Sequence, residues 1–230
     1  YSDMAIGIAL LLVFHFPQNF NAPYRSISIT DFWRRWHISL STWIRDYIYI
    51  SLGGNRKGKV RQYINLIITM LLGGLWHGAS LNFVAWGGMH GLALAVHEFL
   101  SQHIMHRDRN YVSRGIKKVL AVVLTFHFVC FTWIFFRQNT FAAGWTMIRQ
   151  IFMNFHPELL LQFVNGYKYV LAFMVFGFVT HFLPDRWQEA IIGALKRSNV
   201  VVYAVLITAV IYIVIQVKSS TIQPFIYFQF

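Results

Sequence analysis

The sequence predicts an all-α, polytopic membrane protein: a multi-helix bundle with a broken or re-entrant helical region around a buried histidine. Hydrophobic residues make up 57% of the 230 residues and charged residues only 12%, whereas a soluble domain carries about 25% charged residues. Apolar runs at 116–136, 166–183 and 199–217 approach the roughly 20 residues that an α-helix needs to cross a bilayer. The single cysteine, Cys130, lies in an apolar run, so no disulfide framework is expected.

The chain is strongly basic, with a formal net charge of +12. In a membrane protein, an excess of Lys and Arg marks the cytoplasmic loops. The sequence holds no nucleic-acid motif, so we expect a lipid bilayer and no nucleic acid as partner. If 62–104 crosses twice, the basic stretches 54–61 and 105–118 lie inside, 137–165 outside and 184–198 inside, with the C-terminus outside.

The start of the chain predicts a fragment. Residues 1–16 are expected to form the end of a transmembrane helix, and a loop with Pro17 and Pro23 follows. The apolar segment is too short to span a bilayer from its own first residue, and it lacks the charged n-region and cleavage site of a signal peptide. We therefore expect residues 1–230 to be the C-terminal part of a domain whose N-terminal part is absent.

The segment 32–50 has the pattern of an amphipathic helix in or near the membrane interface. Thr30 and Asp31 resemble its N-cap, with an acid at the positive end of the helix dipole. His37 falls on the apolar side, whereas the arginines lie elsewhere around the helix. The apolar stripe recurs at spacings of three and four: Trp33, Trp36, Leu40, Ile44 and Tyr47.

A basic, glycine-rich loop follows at 52–61. Gly53, Gly58 and Lys59 stand at the spacing of a nucleotide phosphate loop, but Val60 occupies the position where that motif needs a hydroxyl for magnesium. A true phosphate loop is therefore disfavoured. The pattern fits either a site for an anionic headgroup or diphosphate or a solvated cytoplasmic loop.

His77 is an ionisable residue in the middle of an apolar stretch. Between Tyr63 and Leu100 the only charged residue is Glu98. At about 1.5 Å per helical residue, His77 would lie on the order of 20 Å from Tyr63. An ionisable group at that depth in a membrane indicates a functional site by default, although a neutral histidine hydrogen-bonded to a neighbouring helix also fits.

Glycines around His77 predict helix breaks or close helix packing. Breaks are expected at Gly73 and Gly74 and around Gly78, because glycine weakens helix interiors, so 62–104 should form a broken or paired helical passage. The glycines beside His77 would also let a substrate approach the backbone. Close helix contact is expected for most of the glycines that stand four residues apart: Gly74 with Gly78, and Gly87 with Gly91.

Four further histidines predict no catalytic or metal site. His97, His103 and His106 lead into a charged stretch, and no matching Cys/His cluster accompanies them. We therefore expect solvated loop histidines. His127 lies inside the 116–136 span, where a lone histidine is expected to be a satisfied packing residue. Residues 140–155 have a mixed pattern that suits the membrane interface.

Several motifs together carry a family resemblance. They are residues 31–47 (DFWRRWHISLSTWIRDY), 52–56 (LGGNR), 74–79 (GLWHGA), 133–137 (WIFFR) and the tail 225–230 (FIYFQF). The chain resembles the bacterial membrane-bound O-acyltransferases. It is most similar to the alginate O-acetylase branch, which is related to the D-alanyl transfer protein of teichoic acid synthesis.

The resemblance implies a multi-pass enzyme of the bacterial inner membrane. Such an enzyme moves an acyl group, expected to be acetyl, from a cytoplasmic thioester such as acetyl-coenzyme A to a hydroxyl of an extracytoplasmic polysaccharide or a relay partner. The resemblance also implies an acetylation partner protein and no bound cofactor. His77 matches the catalytic histidine of the family, and His37 matches a second histidine nearer the cytoplasmic side.

These residues suit acyl transfer. A hydroxyl is a poor nucleophile until a base takes its proton, and we hypothesise that His77 is that base. His37 is expected either to position the thioester and support His77 or to be a hydrogen-bonded core residue. Trp76 is expected to shape the cavity. Three arginines are expected to steer an anionic donor, although positive-inside topology also explains them: Arg34, Arg35 and Arg56.

Two other functions fit parts of the pattern. A broken helix with a buried polar group in mid-membrane is also typical of a transporter or flippase. A non-catalytic assembly subunit of an envelope complex is the third possibility, but it would not need a histidine in a glycine-lined break.

Overall fold

The computed structural model describes residues 2–103 and 114–217, and every regular element in those ranges is helical, which confirms the all-α class. The first range holds α1 (Ser2–Leu11), α2 (Ile29–Arg35), α3 (Ile38–Ile44), α4 (Lys59–His77) and α5 (Leu81–His103). The second holds α6 (Gly115–Arg137), α7 (Phe141–Met153), α8 (Leu160–Gly166), α9 (Lys168–Phe182), α10 (Asp185–Lys196) and α11 (Val200–Val217). Short turns of other helix types occupy Pro23–Arg25, Arg45–Tyr49 and Pro157–Leu159.

The chain divides into two compact units, residues 1–171 and 172–230. The first unit contains α1 to α8 and the start of α9. It also contains every residue for which the sequence predicts a functional role. His106 and the tail motif 225–230 lie outside the described residues.

The membrane character of the chain is clearest in α6. Among the described residues, Gly115–Arg137 is the one unbroken helix long and apolar enough to cross a membrane, which confirms the span predicted at 116–136. Up to three spans result if two bent pairs each count as one: Pro157–Gly166 with Lys168–Phe182, and Asp185–Lys196 with Val200–Ile215. The double crossing by 62–104 stays a prediction, since neither α4 nor α5 is among these candidate spans.

α4 and α5 form an antiparallel hairpin whose backbones touch at glycines. A Cβ atom on Gly74 would lie 2.2 Å from the carbonyl oxygen of Phe83, and one on Gly87 would lie 2.2 Å from that of Met70. Gly91 approaches the backbone of α4 in the same way. The close packing predicted from the glycine spacing is therefore confirmed at Gly74, Gly87 and Gly91.

The break in this hairpin lies after His77. α4 runs without interruption through Gly73 and Gly74, so the break predicted there is wrong, while the break at Gly78 is confirmed by a φ angle of +152°. Gly73 and Gly74 allow close packing because they have no side chain. Gly74 faces α5, and Gly73 faces the Ile44 side chain of α3. At Gly73 and Gly74 this space is occupied by α3 and α5, and substrate approach beside His77 stays a prediction.

The amphipathic segment is two helices rather than the predicted single one. α2 ends at Arg35 and α3 begins at Ile38. Between them His37 adopts the left-handed conformation, with φ +46° and ψ +55°. The predicted N-cap is also wrong, because Ser28 caps α2 and its hydroxyl accepts the Asp31 N–H at 3.1 Å.

The loop after α1 holds this break open. The backbone carbonyl of Asn19 accepts the Ile38 N–H at 2.9 Å, and the Asn21 N–H donates to the Arg35 carbonyl at 2.9 Å. The Asn19 side chain accepts the Ser39 N–H at 2.9 Å. These bonds satisfy backbone groups that a continuous helix would have paired internally, so the break is part of the fold.

The core of the first unit lies where α2 meets α5 and α6. Phe32 and Ile29 pack against Val129, and the partly buried Trp33 and Trp36 cover them. Farther along the predicted stripe, Leu40 and Ile44 are buried. Tyr47, the last member of that stripe, is 67% exposed, because the segment has already turned into the π-helical stretch Arg45–Tyr49.

Four further predictions can be compared with the helices. α1 ends at Leu11, earlier than the predicted residue 16. His97 and His103 lie on α5 and not in a loop. The Nδ1 atom of His97 lies 3.1 Å from the Thr30 hydroxyl. His127 hydrogen-bonds the Val123 carbonyl of its own helix at 2.8 Å, as expected of a satisfied histidine.

Candidate active site

His77 is the last residue of α4 and sits among aromatic rings from three helices. The hairpin turn at Gly78 leaves its side chain half-buried at the end of the helix. The ring centroids of Trp86 and Phe136 lie 5.3 and 5.0 Å away, each nearly perpendicular to the imidazole. Phe83 lies at 6.1 Å. We call Trp76, Phe83, Trp86 and Phe136 the aromatic box of His77.

His37 reaches the same site from the break between α2 and α3. Its ring contacts Phe20 at 6.1 Å and Trp76 at 6.3 Å. The side chain is half-buried, and its buried Nδ1 atom has no hydrogen-bond partner within residues 2–103 and 114–217. The left-handed backbone at His37 brings this side chain to the end of α4.

Trp76 joins the two histidines. Its ring lies 5.0 Å from His77 at 81° and 6.3 Å from His37 at 88°. The indole is 53% exposed, so one face of the pair stays accessible from outside the bundle. The structure thus brings together the three residues from which the sequence predicted catalysis and cavity shape.

His90, on α5, is a residue that the sequence analysis missed. It is 0% exposed. The indole N–H of Trp33 donates to its Nδ1 atom at 3.3 Å, and its Nε2 atom lies 2.9 Å from the Thr132 hydroxyl. The available sequence indication was its place one turn after Trp86, between Gly87 and Gly91 in the sequence of α5.

The predicted substrate-binding arginines are engaged to different degrees. The Arg35 guanidinium donates to the Asp31 carboxylate at 2.9 Å and to the Asn21 carbonyl at 3.3 Å, so it stabilises α2 and the preceding loop. Arg56 donates to the Ile50 carbonyl at 3.3 Å. Arg34 is exposed. A role of these arginines in binding a donor stays a prediction.

The glycine-rich loop is fixed to α4 by one asparagine. Asn65 is 0% exposed and donates from its Nδ2 atom to the carbonyls of Leu52 at 3.3 Å and Gly54 at 2.9 Å. Lys59 and Arg61, which the sequence placed in the loop, form the first turn of α4. The loop is therefore a defined structure at the start of the helix that ends in His77.

Next to this loop, Arg45 and Asp46 form an exposed ion pair of 2.7 Å. The hydrogen bond from the Arg45 guanidinium lowers the pKa of the Asp46 carboxyl below its usual value. This carboxylate keeps the exposed end of the amphipathic segment from being purely basic. In the part of the chain that the structure describes, no group of three or more His, Cys, Asp or Glu side chains could hold a metal ion.

Comparison with known protein families identifies the family of this chain. The family model described as MBOAT, membrane-bound O-acyltransferase family, matches residues 2–136, a range that contains both candidate histidines and the whole aromatic box. The chain belongs to the membrane-bound O-acyltransferase family.

Individual relatives extend this result. The chain is 50% identical over 152 residues to the probable alginate O-acetylase AlgI of Pseudomonas aeruginosa, covering 66% of this chain and 28% of that protein. It is 37% identical over 262 residues to the AlgI protein of Azotobacter vinelandii, covering 100% of this chain and 51% of that protein. The Helicobacter pylori peptidoglycan O-acetyltransferase is 44% identical over 149 residues, with 65% and 27% covered. The chain thus spans about half the length of these relatives or less, and the alginate O-acetylase resemblance is confirmed.

Proposed function

We propose that this chain carries the histidine site of a membrane-embedded O-acyltransferase. The enzyme would transfer an acyl group, expected to be acetyl, from a thioester such as acetyl-coenzyme A to a hydroxyl of an extracytoplasmic polysaccharide or a relay partner. The observation that carries this proposal is the contact of His37 and His77 with the same half-exposed Trp76 ring. The names of the relatives, alginate O-acetylase and peptidoglycan O-acetyltransferase, support the reaction class.

In this reaction His77 acts as general base. It takes the proton of the acceptor hydroxyl while the oxygen attacks the carbonyl carbon of the thioester. The C–S bond of the tetrahedral intermediate then breaks, and the departing thiolate takes the proton back from His77. Such proton transfer contributes about 10²–10⁴-fold to a rate.

The aromatic box suits a histidine that cycles between neutral and protonated forms. Its rings exclude water from part of the imidazole, which favours the neutral form that a base requires. When His77 holds the proton, a ring that presents its face to the imidazole stabilises the cation by about 0.5–2 kcal/mol. The aromatic box thus acts on both states of His77: exclusion of water favours the neutral base, and the ring faces offset part of that effect once the imidazole is protonated.

His37 has the properties of a residue that binds the donor. Its buried Nδ1 atom, without a partner among the described side chains and backbone groups, can hydrogen-bond a substrate atom. A buried polar atom left unpaired costs about 1–3 kcal/mol, which a bound thioester or acceptor would offset. The exposed Arg34 on α2 is placed on the same short helix that leads into His37 and can attract an anionic donor.

The proposed reaction also implies a cellular location and a partner. The acetyl group must leave a thioester made in the cytoplasm and reach an acceptor outside, so we place the enzyme in the bacterial inner membrane with an acetylation partner protein. Neither transport nor a purely structural assembly role has an observation in its favour, since both leave the paired histidines without a task.

The test is acetyl transfer by the intact protein in vesicles, with radiolabelled acetyl-coenzyme A and the envelope partners added. We expect His77→Ala to lower transfer about 10²–10⁴-fold and His37→Ala to lower it partly. His127→Ala is the matched control, because that histidine is exposed and bonded to its own helix. Normal transfer by folded His77→Ala would overturn the proposal. Absence of transfer from any thioester by the unsubstituted protein would also overturn the proposal and favour a transporter.

A further inference from the structure

We propose that His90 is a positioning residue that fixes the candidate catalytic histidines, His37 and His77, relative to each other. The inference rests on the proposed function of His77. His90 lies on α5 between the helix that leads to His37 and the helix that carries Phe136, and it is linked to both. It contacts neither His37 nor His77 directly and is 0% exposed, so it acts through the residues that surround them.

The hydrogen bonds of His90 define its chemical state. The Thr132 hydroxyl donates its proton to the Val129 carbonyl at 2.8 Å, so towards His90 the Thr132 oxygen is an acceptor. The Nε2 atom of His90, 2.9 Å away, must therefore carry a hydrogen. The Nδ1 atom accepts from the Trp33 indole at 3.3 Å. His90 is thus a neutral Nε2–H tautomer with both nitrogens engaged.

Because both of its ring nitrogens are hydrogen-bonded, His90 differs from the two candidate catalysts, His77 and His37. A general base must come within hydrogen-bond reach of the proton it abstracts. His90 is 0% exposed, and a proton added at Nδ1 would break the bond from Trp33. His77 and His37 are both half-buried and face the accessible ring of Trp76.

Each link from His90 ends beside the site. Trp33 lies one helical turn before His37 in sequence, on α2. Thr132 lies one turn before Phe136, whose ring is 5.0 Å from His77. Trp86 contacts the His90 ring at 4.8 Å and the His77 ring at 5.3 Å. Loss of the His90 bonds would let α2 and α6 shift relative to α5, and the histidine pair with them.

The Thr132 bond offers the cleanest test, because valine has nearly the shape of threonine but no hydroxyl. In the intact protein in vesicles, we expect Thr132→Val to lower kcat about tenfold, the scale of one hydrogen bond, with the KM for acetyl-coenzyme A unchanged. Thr132→Ser retains the hydroxyl and should restore kcat. The control is Thr69→Val on α4, since the buried Thr69 hydroxyl has no hydrogen-bond partner among the described residues.

His90 itself supplies a second pair of variants. His90→Asn can still accept from Trp33 but cannot reach Thr132, whereas His90→Ala loses both bonds. We expect His90→Asn to resemble Thr132→Val and His90→Ala to lose more activity. This pair carries the test if Thr132→Val does not fold.

The outcomes separate the two proposals. A lower Tm with unchanged kcat per folded molecule in Thr132→Val and His90→Asn would make His90 a purely structural residue and overturn the inference. A kcat loss that Thr132→Ser does not rescue would also overturn it. Normal transfer by His77→Ala, measured in the same assay, would instead overturn the proposed function of His77.

Discussion

The rings of His37 and Trp76 meet edge to face, with their centroids 6.3 Å apart and their planes at 88°. Trp76 precedes His77 at the end of α4, whereas His37 lies in the break between α2 and α3. The contact therefore joins two motifs that are far apart in sequence. Trp76 is therefore the residue that both candidate histidines contact.

Removal of the Trp76 ring should reduce acetyl transfer. We expect Trp76→Ala to lower kcat at least about tenfold, because both imidazoles lose a ring contact worth about 0.5–1.5 kcal/mol. Trp76→Phe keeps an aromatic ring and should retain most activity. Trp43→Ala is the control, since Trp43 is exposed on α3 and its ring contacts Tyr47. A Trp76→Ala protein with unchanged kcat would show that Trp76 only fills space.

Asn19 stabilises the break between α2 and α3, so its loss should affect activity by displacing His37. Asn19→Ala removes the acceptor for the Ser39 N–H and hydroxyl, at 2.9 and 2.8 Å, and a lost cap of this kind costs about 1 kcal/mol. We expect a lower Tm and lower acetyl transfer. Asn21→Ala should change neither, because Asn21 makes its bonds to Arg35 through its backbone. Equal behaviour of the two variants would contradict this account.

The sequence predicted the parts of the site that depend on local pattern. Apolar runs indicate helices whatever those helices pack against. The glycines around His77 indicate a helix end and a close contact with a neighbouring helix. His77, Trp76 and the packed glycines could therefore be found from the sequence. The all-α class followed from the same patterns.

The parts that failed depend on distant residues. The apolar stripe of 32–50 fits one helix, and the break at His37 is stable because Asn19, 20 residues before Ser39, supplies the missing hydrogen bonds. The role of His90 depends on Thr132, 42 residues later. Helical periodicity contains no information about such partners, so both features required the structure.

The buried Asn65 should control the order of the glycine-rich loop. Asn65→Ala leaves the carbonyls of Leu52 and Gly54 without their donor. An unsatisfied buried polar group costs about 1–3 kcal/mol. We expect faster limited proteolysis within 52–58 and a lower Tm. Asn55→Ala, at an exposed asparagine of the same loop, should leave both measurements unchanged, and equal protease sensitivity of the two variants would refute the anchoring role.

The glycine contact between α4 and α5 gives the sharpest prediction about the fold. A methyl group on Gly87 would lie 2.2 Å from the Met70 carbonyl oxygen, whereas one on the adjacent Gly88 would meet only the Leu71 side chain, at 3.4 Å. Overpacking of this kind costs about 1–3 kcal/mol when the neighbours can shift, and here the neighbour is backbone. Gly87→Ala should therefore lower the free energy of unfolding by at least that amount.

Gly88→Ala should be neutral or slightly stabilising, because alanine is a better helix former than glycine by about 1 kcal/mol. Thermal unfolding of the two variants in detergent measures the difference directly. Because Gly87 follows Trp86 in the aromatic box, the separation of α4 and α5 in Gly87→Ala should also displace Trp86 from His77 and lower acetyl transfer. Equal Tm values for the two variants would mean that the hairpin is held by its side chains and not by backbone contact at the glycines.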